Sequence, residues 1–256
     1  MNGRRDREAR REERLQEEQQ AGAVERRQRM VKLASAGAFL ALVVVAVLIV
    51  ISSGNSSGGD SSNIVEVKGV DKLLAGIPQK GMVLGDPGAK VKVLEFGDLQ
   101  CPFCKGYSEE VLPQVIENRV RSGEATLEFR NFTIIGPQSR PAGAAAIAAG
   151  EQGRGWNFVE LFYRNQGSED SGYADDAFLT AIARAAGVPD LARWNRERKS
   201  QAAIAAVEAT NAEAEKLGFS GTPSFALEGP GTAGLETIDT PESVDALESA
   251  IENAGE

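Results

Sequence analysis

The longest apolar run in the chain lies between Leu33 and Ile51, LASAGAFLALVVVAVLIVI, and shows neither a polar face nor a charge. Its 19 residues, at about 1.5 Å of rise each, span roughly 28 Å, close to the roughly 30 Å of a bilayer's hydrocarbon core. A core helix would show some polar face, and a Ser/Gly-rich stretch follows this run directly. A cleaved signal peptide fits less well, because the leading segment is too long and no A-x-A pattern follows Ile51. The expectation is a transmembrane signal anchor over 33–52. Arg26, Arg27, Arg29 and Lys32 flank it on one side, and the next basic residue on the other is Lys68. The positive-inside rule then puts the charged tail 1–32 in the cytoplasm and everything after the anchor outside, in a single-pass cell-membrane protein.

Past the anchor the pattern changes. SSGNSSGGDSSN (Ser52–Asn63) is linker composition, and such a stretch has a root-mean-square reach of roughly 20 Å; the flexible linker is expected over 53–74. Val91–Phe96 is short, mostly apolar and rich in β formers, and reads as a buried strand. Val111, Leu112, Val115, Ile116 and Val120 recur at helical spacing, in a helix expected to run to Ser122-Gly123. Ala125–Thr133 alternates as a second strand. A helix-rich block follows over about 139–217, with the aromatic residues Trp156, Phe158, Phe162 and Tyr163 at core spacing. Ser224–Leu227 resumes strand character. Thr240 is the expected N-cap, and Pro241 the first residue, of a final helix to about Ala254. Strand, helix, strand, helical block, strand, helix is an α/β plan with an inserted helical subdomain, spanning 75–256.

Composition narrows the chemistry. The net charge of −9 is concentrated after the anchor, and an acidic body argues against nucleic acid as a partner. The chain has no histidine and two cysteines. That removes every Ser-His-Asp or Cys-His arrangement and the commonest metal ligand.

The cysteines are Cys101 and Cys104, in Cys101-Pro102-Phe103-Cys104. Half a zinc site would need further Cys or His ligands that the chain lacks. A structural disulfide closing so short a loop would remove only roughly 2 kcal/mol of unfolded-state entropy. Two unrelated buried thiols leave the spacing unexplained. A redox pair accounts for the local context. Cys101 follows an expected strand, and Pro102 suits the first position of a helix. The Cys101 sulfur would then face a helix N-terminus, where free N–H groups and the dipole favour thiolate. Cys104, one turn on, would be the resolving thiol.

On the runs Leu84-Gly85-Asp86, Phe96-Gly97-Asp98-Leu99-Gln100-Cys101-Pro102-Phe103-Cys104 and Gly221-Thr222-Pro223-Ser224-Phe225, the chain resembles the DsbA-like branch of the thioredoxin-fold family. The resemblance spans most of 75–254, helical insertion included. It implies a protein thiol–disulfide oxidoreductase with Cys101 as nucleophile and Cys104 as resolving thiol. It implies a cis-proline loop at Thr222-Pro223 that offers backbone hydrogen bonds to an extended substrate; Pro102 and Phe103 join that loop as substrate-facing residues. Glu95, six residues before Cys101, matches a buried acid that relays protons, although a solvated face of the strand is the plainer reading of the residue itself.

The implied partners are exported cysteine-containing proteins and a quinone-linked membrane protein of the DsbB or vitamin-K-epoxide-reductase type, with no cofactor, metal or nucleic acid. An oxidase is the leading reading. A reductase, as in cytochrome maturation, and a non-catalytic peptide-binding or assembly module are the alternatives. Phe103 departs from the Pro-His of the strongest oxidants in the family. It puts no positive charge near Cys101, so a less oxidising disulfide is expected.

Overall fold

The computed structural model describes residues 64–256. The charged tail, the anchor expected at 33–52 and the Ser/Gly-rich stretch through Asn63 lie outside the described residues. Among the described residues, no helix is long and apolar enough to cross a membrane.

Helix α1 (Val67–Leu74) leads into a mixed sheet of β1 (Gln79–Lys80), β2 (Val83–Leu84), β3 (Val91–Gly97), β4 (Ala125–Asn131), β5 (Ser224–Glu228) and β6 (Glu236–Ile238). Spatial order is β1-β2-β4-β3-β5-β6. β3 runs parallel to β4 and antiparallel to β5. Central β3 is buried on both faces except at Lys92, as a strand covered by helices on both sides must be. Between β3 and β4 lie α2 (Pro102–Glu110), α3 (Leu112–Val115) and a wider π turn (Ile116–Val120). Between β4 and β5 the helical block resolves into α4 (Ser139–Gly150), α5 (Gly155–Arg164), α6 (Asp176–Ala185), α7 (Leu191–Glu197) and α8 (Gln201–Lys216). α9 (Val244–Gly255) closes the chain. This is the α/β plan with an inserted helical subdomain.

Three expectations change. The linker expected over 53–74 gives way to helix from Val67. Val67, Val70 and Leu74 form one apolar stripe, and Val70 and Leu74 are buried, with α1 lying on α5. Asn165, at the end of α5, ties down the segment before α1: its side chain accepts from Val65 N at 2.9 Å and donates to Val65 O at 3.2 Å. The helix after Cys104 breaks at Val111 rather than running through. Pro113, in the first turn of α3, has no N–H to continue the ladder of α2. The last helix begins later than expected. Its cap is Ser243, whose side chain accepts from Ala246 N, and Thr240 instead donates to the carbonyl of Pro223 at 2.8 Å.

The two faces of β3 differ. Leu94 and Phe96 join Phe132, Ala214 and Ala226 in a small cluster. Val91 and Val93 face the main core, with the cysteines, Tyr107, Phe129, Tyr163 and Phe225. Trp156, Phe158, Phe162 and Tyr163 are fully buried in that core, as their spacing implied. Gly155 lets α5 touch the sheet: a Cβ there would lie 2.6 Å from Gly81 O, one residue from the Met82 carbonyl that accepts from Trp156 Nε1 at 2.8 Å.

Candidate active site

Cys101 is the N-cap of α2, in extended conformation, and Pro102 opens the helix. The turn between β3 and α2 is closed by Cys101 N donating to Asp98 O at 2.9 Å. Both cysteines are free thiols, with Cys101 2% and Cys104 0% exposed. The Cys101 thiol donates to the carbonyl of Thr222 at 3.4 Å, and the Thr222–Pro223 peptide is cis. Sequence positions 121 residues apart thus meet at one sulfur.

The two thiols are driven apart. Cys101 is lowered from 9.0 to about 6. The Cys104 side chain donating to its sulfur is the main cause; burial opposes it, and Thr222 and the amides of Cys104 and Phe103 assist. Cys104 is pushed well up, by burial first and then by its bond to Cys101. Cys101 is therefore the sulfur that ionises, and Cys104 holds its proton.

Glu95 lies on the core face of β3, 1% exposed, and not on a solvated face. Its register neighbours are Phe129 on β4 and Phe225 on β5. Neither carboxyl oxygen has a hydrogen-bond partner. Burial, then the carboxylate of Glu160, then Cys101 raise it from 4.5 to about 8, so it is a neutral acid at pH 7. Glu160 is itself buried on α5, where it accepts from Ser108 Oγ of α2 at 3.0 Å and pairs with Arg164.

Phe103, expected to face substrate, is 78% exposed. It borders an open groove of about 470 Å³ whose floor and walls include Pro102, Tyr107, Thr222, Pro223 and Pro241. Four of the expected site residues, Pro102, Phe103, Thr222 and Pro223, thus line one groove, and Cys101 sits at Thr222. Glu95 lies beneath, in the core.

The thioredoxin family profile matches residues 78–253. The chain belongs to the thioredoxin family. Within it, this is a DsbA-like protein thiol–disulfide oxidoreductase. It is 31% identical over 149 residues to a probable disulfide bond formation protein D of Bacillus cereus, a match covering 57% of this chain and 69% of the relative. Among solved structures, oxidised BdbD from Bacillus subtilis superposes with a TM-score of 0.60 at 20% identity, over 70% of this chain and 97% of that one, which is a likeness of fold. A thioredoxin-like oxidoreductase from Silicibacter pomeroyi gives 0.54 at 28% identity, over 72% and 96%. An inert disulfide in a non-catalytic module is set aside by this membership.

Several residues that build the DsbA-like site carried no role in the sequence reading. Asp98 is buried, and its carboxylate accepts from the amides of Gln100 at 2.9 Å, Ile134 at 2.8 Å and Ile135 at 2.9 Å. It fastens the approach to Cys101 to the loop after β4. Gln166 donates to the carbonyls of Leu99 at 2.7 Å and Cys101 at 3.1 Å, fixing the same approach from the insertion. Asp98 stands within the run that carries the resemblance, yet its contacts are remote in sequence. Tyr107 could have been noticed as the residue at i+3 from Cys104, on the same helix face.

Proposed function

We propose that this oxidoreductase works as an oxidase, introducing disulfides into exported proteins from the outer face of the cell membrane, to which the apolar run over 33–52 tethers it. The observation that carries the direction is the split between the thiols, with Cys101 lowered to about 6 and Cys104 pushed well up. A stabilised Cys101 thiolate favours the reduced pair, and so makes the disulfide an oxidant. The name of the Bacillus cereus relative, a probable disulfide bond formation protein, agrees with that direction. The apolar run and its flanking charges support the tether.

A substrate thiolate attacks Cys101 Sγ of the disulfide, and Cys104 leaves with the bonding electron pair. Glu95, neutral and beneath the pair, gives the proton that Cys104 keeps; this is the relay reading of the residue. A mixed disulfide now joins the substrate to Cys101. A second substrate thiolate attacks the substrate's own sulfur in that bond, and Cys101 leaves as a thiolate, the better leaving group for its lowered pKa. The substrate has lost two electrons and the pair has gained them. A quinone-linked membrane partner of the DsbB or vitamin-K-epoxide-reductase type would take them back, and a tether raises the effective concentration near it. The groove beside Thr222 and Pro223 takes the substrate segment in extended form.

Trapping tests this reading. Cys104→Ala leaves Cys101 able to attack but not to be resolved, so mixed disulfides with exported proteins and with the reoxidising partner should accumulate. A Cys104→Ala chain that traps nothing, or traps only proteins of the cytoplasm, would falsify it. A second reading, an extracytoplasmic reductase, is favoured by Phe103, which places no charge by the thiolate. The reduction potential separates the two. The oxidase reading requires a value well above roughly −270 mV, and Phe103 keeps it below roughly −120 mV.

A further inference from the structure

Glu95 is enclosed symmetrically. Phe129 and Phe225 are its register neighbours on the two adjoining strands, and each carries a tyrosine. Tyr163 of α5 meets Phe129 edge-on, with ring centroids 6.3 Å apart, and Tyr107 of α2 packs tilted against Phe225 at 4.8 Å. The titratable groups around the carboxyl are Cys101, Cys104 and Tyr107 from α2, Glu160 and Tyr163 from α5, and Asp98 from the β3–α2 turn. No cation is among them, because Arg164 is engaged by Glu160.

The donors in this enclosure are mostly committed. Tyr163 donates to Asp98 O at 3.3 Å and Ser108 to Glu160 at 3.0 Å. The Thr222 hydroxyl is also without a partner among the described residues, but it lies on the cysteine side, where it favours the Cys101 thiolate. The Tyr107 hydroxyl is out of solvent and without a partner among the described residues, as are both oxygens of Glu95. Two unsatisfied buried groups therefore lie on one side of the core, each costing stability at rest: a phenol that can donate, and a neutral carboxyl that becomes acceptor-only when it gives up its proton.

We propose that Tyr107 is the positioning residue of the buried proton step: its hydroxyl is the donor that meets the Glu95 carboxylate once Glu95 has given its proton to Cys104. This rests on the reading of Glu95 as the proton relay. The balance is closed. As the disulfide is attacked, the departing Cys104 thiolate takes the Glu95 proton, and the new carboxylate accepts a hydrogen bond from the Tyr107 O–H, whose proton stays on the phenol. On reoxidation Cys104 returns the proton to Glu95, and the bond to Tyr107 is released. A carboxylate created in an apolar enclosure without a cation needs such a donor. The tilted packing of Tyr107 on Phe225 keeps its ring beside the strand neighbour of Glu95.

The test uses Tyr107→Phe, which keeps the ring and its packing on Phe225 and deletes only the hydroxyl, beside Glu95→Gln and the double variant in the full chain. Two quantities are read: the rate at which the oxidised protein is reduced by a cysteine peptide, and the Glu95 titration followed by its carboxyl infrared band, identified by its loss in Glu95→Gln. The expected result is a rate roughly tenfold lower in Tyr107→Phe, the worth of a hydrogen bond to a charged group, with the Glu95 midpoint moved upward. The double variant should be no slower than Glu95→Gln alone. If Glu95→Gln is slow but Tyr107→Phe keeps the parental rate and midpoint, the relay stands and the role of Tyr107 is overturned. If the two losses multiply, Tyr107 acts elsewhere than on Glu95, and the proposal fails. If Glu95→Gln itself reacts at the parental rate, the relay and this inference fall together. Tyr107→Leu, which also removes the ring packing, reports by its lowered thermal midpoint what a merely structural loss looks like.

Discussion

Cys101 draws its character from neighbours at two distances in sequence. Cys104, Phe103 and Pro102 are local, whereas Thr222 comes from the other end of the domain. A thiolate that forms near pH 6 absorbs in the ultraviolet where a thiol does not. The reduced protein should therefore show a single absorbance transition with a midpoint of about 6, which Cys101→Ser abolishes and Cys104→Ala moves upward, since the hydrogen bond from the Cys104 side chain is the main cause of the shift. A midpoint unchanged in Cys104→Ala would assign the effect to the helix terminus instead. Asp98 is a second test at this scale. Its carboxylate takes three backbone amides, so Asp98→Ala should cost about 3 kcal/mol or more in urea unfolding, and Asp98→Asn less. The cysteine pair and Pro102 were legible in the sequence because their chemistry is contiguous. Asp98 and Glu160 were not, because the partners that tie them to the site, Ile134 and Ser108, stand 36 and 52 residues away; their local bonds to Gln100 and Arg164 give no hint of it.

Among the elements, those long enough to show a period were readable. β3, β4, β5 and the helical block lie within a few residues of their expected places. β1, β2 and β6 have two or three residues each, too few to alternate, and exist because the sheet pairs them. The break at Val111 follows from Pro113 and was available to a stricter reading. Capping gives a direct check on the last helix. Ser243→Ala should destabilise the fold by about 1 kcal/mol, while Thr240→Val should leave thermal stability nearly unchanged and raise KM for peptide substrates, because Thr240 holds the Pro223 carbonyl at 2.8 Å beside the groove. If Thr240→Val instead lowers the melting point and spares KM, Thr240 belongs to the fold rather than to the groove. Gly155→Ala tests the seating of α5: its methyl would meet Gly81 O at 2.6 Å, and overpacking of this kind costs about 1–3 kcal/mol.

For the whole molecule, the buried groups tie stability to pH in opposing senses. Glu95 is raised from 4.5 to about 8, so its contribution is complete below about 4.5 and is lost as pH climbs to about 8. Cys101 is lowered from 9.0 to about 6, so its contribution is present above about 9 and is lost as pH falls to about 6. Cys104, pushed well up, acts only above this range. The oxidised protein has no Cys101 thiol to titrate. Unfolding free energies measured in urea should therefore show the reduced form gaining on the oxidised form between about pH 6 and 9, and Glu95→Gln should flatten the decline between about pH 4.5 and 8. A reduced form that loses ground as pH rises through that window would reverse the assignment of the ionising sulfur.

The groove and the acid chamber share Tyr107 of α2, but only the chamber draws on the helical insertion. Every residue bordering the groove lies before β4 or after α8, whereas Glu160 and Tyr163, which surround Glu95, come from the helical insertion. What meets the peptide and what surrounds the acid thus overlap on α2 and diverge beyond it. Changes at Pro241 and Glu242, which border the groove alone, should alter which peptides are taken; changes on α5 should alter the proton step; changes on α2 should move both.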